Sequence, residues 1–216
     1  MSADDPQEGT VHPALAEELP GLRLRWVVAP LEGGHRTPRG LARRLGDVST
    51  RFRGANAIQL RTRPVPRAYR VFYRQVGLDP DVDRTPVEQL ALERLIRGEL
   101  HTGDRVTDAT VLALFETGVP IVAFDEALLD GDVVLRPARP GETLPAEGGY
   151  AHDVASGRLV LADDRGPVAI LFGRRSVAHE PGRATSAVRL VAIAVPGVPE
   201  AHVDEGLWLA AEGLGR

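Results

Sequence analysis

The side chains with the widest chemical reach are six histidines, at positions 12, 35, 101, 152, 179 and 202, and they show no metal-ligand spacing. Ser176 and His179 lie close together, but a nucleophile and its base must meet in three dimensions, and this spacing alone reads as a solvated loop. Asp79, Asp81 and Asp83 mimic the start of a calcium loop; the glycine position is Arg84 and the twelfth is Leu90, which excludes that reading. The chain has no cysteine, so thiol nucleophiles, disulfides and cysteine-ligated zinc are excluded. It has no lysine either, which removes Schiff-base chemistry and the phosphate-binding lysine of a P-loop. There is no G-x-G-x-x-G, G-x-S-x-G or H-E-x-x-H motif. Neither a metal nor a cofactor is expected.

All 26 basic residues are arginine, and eleven of them fall between Arg36 and Arg74 with Asp47 as the one acid among them. That segment carries +10 and the remainder −14, which the net charge of −4 conceals. Such a stretch attracts polyanions through salt-dependent phosphate contacts, and Arg39, Arg43, Arg67, Arg70 and Arg74 are the residues expected to make them. The alternative is that the arginines solvate helix faces or pair with acids from elsewhere in the fold.

The elements that would position these groups can be read from periodicity. Residues 1–20 are rich in Asp, Glu and Pro, suggesting a frayed tail or a short helix. Leu22, Leu24, Trp26 and Val28 alternate as in a half-buried strand. Pro38 opens a helix with an apolar stripe at Leu41, Leu45, Val48 and Phe52. A loop with Pro64 and Pro66 leads to a helix from Arg67 to Val76, with Tyr69, Phe72, Tyr73 and Val76 on one face and Arg67, Arg70 and Arg74 on another. Thr85-Pro86-Val87-Glu88 is a capping box; Leu90, Ala91, Leu95 and Ile96 supply that helix's buried side, Glu93 and Arg97 can pair on its surface, and Gly98 ends it. A short helix over 108–117 stops at Gly118.

Strands follow. Residues 120–124 are apolar, Asp130-Gly131 reads as a hairpin turn before 133–136, Gly148-Gly149 marks a loop, and 158–162 pairs with 168–172 across Asp164-Arg-Gly166. Residues 188–195 form a buried strand and 199–214 a closing helix. Helices gather in the first half and strands in the second, which points to an α+β fold with a mostly antiparallel or barrel-like sheet flanked by helices.

The length of 216 residues, with 43% hydrophobic and 26% charged content, suits a 1–20 tail followed by a single domain over 21–216. No run approaches the ~20 apolar residues that span a bilayer, and the acidic start is the reverse of a secretory signal, so a cytoplasmic protein with no membrane partner is expected. The sequence does not set an oligomeric state.

Three blocks between Thr107 and Leu144 resemble a known family. Val106-Thr-Asp108, Pro120-Ile-Val-Ala123-Phe124-Asp125 and Arg136-Pro-Ala138-Arg-Pro-Gly141-Glu142 match, at the same spacing, the B3/B4 domain of the phenylalanyl-tRNA synthetase β-subunit, in its free-standing form. The resemblance covers about residues 65–195. It implies a B3/B4-like fold and an editing-type function: binding a tRNA or aminoacyl-tRNA 3′ end, or the amino acid on it, with possible hydrolysis of mischarged tRNA. The alternative is a binding module that has lost hydrolysis. The resemblance assigns the amino-acid-sized pocket to Ala123, Phe124, Asp125, Glu142 and Asp108, with Glu142 as acceptor for a substrate hydroxyl and Ala123 as a small wall; Asp108 and Asp125 either orient the pocket or hold the backbone. A Glu142 that caps a turn and an Ala123 in ordinary strand core are the alternatives. The family's asparagine after the first block is Val111 here, and its editing histidine has no counterpart, since no histidine lies between His35 and His101. No catalytic residue is assigned.

Overall fold

The computed structural model describes residues 5–51 and 59–215. Its centre is β9 (Ala187–Ala194), apolar at nearly every position because both of its faces are covered. Val188, Leu190, Ala192 and Ala194 pack on one side with helices α2 (Arg39–Arg51), α5 (Arg105–Thr117) and α6 (Glu200–Gly215). Val191 and Ile193 face the other side, where α3 (Pro64–Gln75) lies with Tyr69 and Phe72 inward. The Tyr69 hydroxyl donates to the Ile193 carbonyl at 2.7 Å, which ties α3 to the sheet and satisfies a buried phenol.

Strands β1 (Gln7–Val11), β2 (Arg23–Pro30), β3 (Ile121–Asp125), β4 (Val134–Pro137), β7 (Leu159–Ala162) and β8 (Pro167–Ile170) complete a seven-stranded sheet in the order β3-β9-β2-β1-β4-β7-β8. Every neighbouring pair is antiparallel except β1 with β4. Leu135, Leu161 and Val168 from one end share a core with Phe124, Val191 and Leu24 from the other. The sheet therefore curls into a half-barrel, as an α+β reading with a barrel-like sheet expects. A separate hairpin, β5 (Thr143–Pro145) with β6 (Ala151–Asp153), turns at Gly148-Gly149.

Four readings of the sequence need correction. Residues 7–11 are a strand, not a frayed tail: β1 joins the two halves of the sheet through backbone pairing to β2 and β4, which a polar, mostly exposed pentapeptide does not advertise. Gly9 permits it, since a Cβ there would come within 2.9 Å of Leu24. The segment after it does form the short helix α1 (Pro13–Glu18). Asp130-Gly131 closes no hairpin, because β3 pairs with β9 while β4 pairs with β1 and β7. Instead it packs on the β7–β8 turn, with Asp130 N–H donating to Asp163 and Asp164 N–H to the Asp130 carbonyl.

Pro64 and Pro66 sit inside the first turn of α3 rather than before it, where missing N–H groups cost nothing. In α4 (Pro86–Arg97) the capping box and the left-handed Gly98 are as read, but the inward face is Val87, Ala91 and Arg94. Arg94 reaches in to donate to Ser49, leaving Leu95 half-exposed and Ile96 76% exposed; Glu93 accepts from Gln89 rather than pairing with Arg97. Phe52 lies outside the described residues. Among the described residues no helix is long and apolar enough to cross a membrane.

Candidate functional site

Strands β3 and β8 are the two ends of the sheet; β3 pairs only with β9, while the outer edge of β8 is bridged by the returning residues 174–176. The curl brings both to one cleft of about 480 Å³, the gap where the barrel fails to close. Helix α5 contributes Thr107, Thr110, Val111 and Leu114 to its walls and α4 contributes Gln89, Leu90 and Glu93. Pro120, Ile121 and Val122 form the β3 side, and Ile170, Phe172 and Arg175 the opposite side. The volume and the apolar floor with a few polar groups are those of a small-molecule site.

Phe172 is held in the left-handed region at φ 54°, unusual for a residue with a side chain. Its ring stacks on Tyr73 (centroids 5.2 Å apart) and meets Tyr69 and Phe72 edge-on, so three aromatics of α3 compensate the backbone cost. At the rim stand Arg84 and Arg175, both exposed and with no side-chain hydrogen bond or ion pair to a described residue.

The residues expected to form the pocket are not gathered here. Ala123 and Phe124 are buried in strand core on opposite faces of β3, while their neighbours Ile121 and Val122 reach the cleft. Asp125 accepts from Ala127 N–H at 3.0 Å and from the Thr185 hydroxyl at 2.5 Å, capping the turn that follows β3. Asp108 is fully buried and faces the loop before α5: it accepts from the Thr37 and Thr102 hydroxyls and the Thr102 and Gly103 amides, and contacts His101 at 2.5 Å. It holds backbone. Glu142 does not line the cleft. Its two oxygens take the guanidinium of Arg136 at 2.8 and 2.7 Å, and one also accepts from Arg139 N–H. The Arg136 hydrogen bonds hold its carboxyl below the usual carboxylate range, against the opposing effect of its burial.

The arginine run divides between two sides of the sheet, because α2 packs on one face and α3 on the other. Arg39, Arg43 and Arg67 are exposed, without a side-chain partner among the described residues. Arg70 is not displayed with them: it is 9% exposed and pairs with Glu88 at 2.8 Å and Asp81 at 2.5 Å. Arg74 is exposed and sits 3.7 Å from Asp81, Arg44 3.5 Å from Glu212, and Arg51 2.5 Å from Glu116. Acids distant in sequence thus neutralise part of the run.

Ser176 and His179 do meet, with His179 Nδ1 2.9 Å from Ser176 Oγ and Nε2 3.5 Å from Asp163. Both are buried, so the solvated-loop reading is wrong, and burial lowers the His179 pKa. The Ser176 hydroxyl is fully buried and accepts from Ala178 N–H, so the group braces a turn. Among the described residues no three histidine or acidic side chains could hold a metal ion.

Two of the three blocks whose spacing first suggested a family, those beginning at Val106 and at Pro120, contribute residues to the cleft walls, and a family model decides the matter: B3/4 domain, matching residues 68–199. The chain belongs to the B3/4 domain family. This B3/4 domain is similar to the phenylalanine–tRNA ligase beta subunit of Nocardia farcinica, 30% identical over 203 residues, which covers 86% of this chain and 24% of that protein. It is 40% identical over 101 residues to the same subunit of Methylococcus capsulatus, covering 45% of this chain and 12% of that one. The chain spans about a quarter or less of the curated relatives it matches. A solved N-terminal fragment of the Pyrococcus horikoshii phenylalanyl-tRNA synthetase beta-subunit overlaps 96% of this chain and 52% of its own, at 12% identity and a TM-score of 0.44. Most of the arginine run precedes the matched region, whereas every cleft residue lies within it.

Cleft residues that the motifs and periodicity do not mark include Thr110 and Arg175. Val111 carried a signal, as the departure from the family pattern, and it lies in the wall.

Proposed function

We propose that this B3/4 domain binds the aminoacyl end of a tRNA, with the amino-acid side chain in the β3/β8 cleft. The observation that carries this reading is the pairing of an apolar floor (Val111, Leu114, Val122, Phe172) with two unpartnered rim guanidiniums, Arg84 and Arg175. An apolar side chain gains from the floor, and phosphate oxygens gain from the rim, where charge-assisted hydrogen bonds are strong. The names of the relatives support a tRNA-related ligand.

Binding without hydrolysis is the favoured form. Among the described residues lining the cleft there is no serine or histidine, Glu93 is the one carboxylate, and Val111 presents methyl groups where the family pattern has an asparagine. Editing of a mischarged tRNA then requires the substrate's own terminal hydroxyl to orient the attacking water. The exposed Arg39, Arg43 and Arg67 are proposed to hold RNA backbone away from the cleft.

Equilibrium binding of the same tRNA, uncharged and charged with phenylalanine or tyrosine, tests the proposal. The charged form is expected to bind at least ~10-fold tighter, about 1.4 kcal/mol. Thr110→Trp, which fills the cleft from a half-buried helix position, is expected to erase that difference. Equal affinities in the native protein would contradict the proposal. Ester loss above the spontaneous rate would extend it to deacylation.

A further inference from the structure

We propose that a second cleft beside the first is a platform for a nucleobase, so that the ligand is bipartite: amino acid between β3 and β8, nucleoside over Tyr150. The inference rests on the proposed use of the first cleft. The second holds about 560 Å³ and shares Gly173 and Arg175 with the first, so one molecule can cross that rim and occupy both.

Tyr150 stands at the β5–β6 hairpin with 77% of its surface exposed, the most exposed large aromatic of the described residues. Its ring lies against Gly148, where a Cβ would approach within 3.2 Å, so glycine is needed for the ring to rest there. A tyrosine held by the backbone and otherwise open to solvent offers a π face, and base stacking on such a face contributes about 1–3 kcal/mol. Arg174 lies in the same cleft, donating from Nη1 to His152 Nε2 at 2.6 Å, which fixes a planar cation near the ring.

The charges of the cleft choose the part of the ligand that binds it. Arg174 and Arg175 are balanced by Glu147 and Glu180. A phosphate-rich segment gains little from a neutral site, whereas a base with an exocyclic amine donates to a carboxylate while stacking. The base therefore belongs here, and the phosphates belong toward Arg84, the rim guanidinium of the first cleft that the second does not share.

The test compares phenylalaninamide, AMP and the amide-linked 3′-phenylalanylamino-3′-deoxyadenosine on the native protein and on Tyr150→Ala, by calorimetry. The joined compound is expected to bind the native protein at least ~10-fold tighter than phenylalaninamide. Tyr150→Ala is expected to remove most of that gain and leave phenylalaninamide unchanged; being at an exposed position, the substitution spares the fold. If the amide binds but the adenosine adds nothing, the platform is overturned and the first cleft stands. If AMP binds only when Tyr150 is present and the amide does not bind, the platform is supported and the first cleft is overturned. No binding of any compound overturns both.

Discussion

Both carboxylate oxygens of Glu142 are held by the guanidinium of Arg136, at 2.8 and 2.7 Å. The pair bridges the end of β4 to the loop before β5, and Arg136 is itself buried. The carboxylate that the family resemblance assigns to substrate is thus engaged internally.

Glu142→Gln is therefore expected to reduce stability at neutral pH by about 1.5–3 kcal/mol, as for hydrogen bonds to charged groups, and to leave ligand binding unchanged. Because the folded protein lowers the Glu142 pKa, the stabilisation is present above the ordinary carboxylate value and is lost as pH falls through the folded value. Urea midpoints of native and variant protein should differ at neutral pH and converge as the pH falls through the lowered folded value. Loss of ligand binding with stability intact would restore the substrate role.

Phe172 gives a prediction with an unusual sign. Replacing an ordinary packed residue by glycine is worse than by alanine. At φ 54° the order should reverse, with Phe172→Gly more stable than Phe172→Ala by about 1 kcal/mol, since alanine keeps the left-handed strain without the ring packing that offsets it. Thermal or urea unfolding of the two variants decides it. The usual order would mean that the backbone there is not strained in solution.

The arginines separate into two classes by what they touch. Arg39→Ala, Arg43→Ala and Arg67→Ala together should leave stability within about 0.5 kcal/mol of native. They should weaken tRNA binding and flatten its salt dependence, by roughly 0.7–0.9 in the log–log slope for each phosphate no longer neutralised. Arg70→Ala should behave oppositely: it strands Glu88 and should cost about 3 kcal/mol or more, with the salt slope unchanged. A salt slope that falls with Arg70 and not with the other three would reverse the assignment.

Periodicity and capping signals made much of this fold legible. The stripe of Leu41, Leu45 and Val48, the capping box at Thr85–Glu88 and the unbroken apolar run of β9 each reflect local physics acting over a few residues. What could not be read was decided by partners distant in the chain. β1 pairs through its backbone, Asp130-Gly131 packs on another turn, and Arg70 finds acids 11 and 18 residues away. The same limit governs the site. The family blocks around α5 and β3 lie at the proposed cleft, but which residues reach it depends on position along the strand: Ile121 and Val122 at its start line the cleft and Ala123, on the same face as Ile121, does not. The wall from the β8 turn required the half-barrel to curl until both sheet ends border one cleft, which no local pattern encodes.

The claim on which the rest depends is that the gap between the two sheet ends receives an amino-acid side chain. A crystal structure with 3′-phenylalanylamino-3′-deoxyadenosine tests it most directly. The phenyl ring is predicted to lie within about 4.0–4.5 Å of Val111 and Val122. A ligand seated instead at Glu142, or in the arginine-lined cleft of Arg36 and Arg39, with the β3/β8 gap empty, would contradict it.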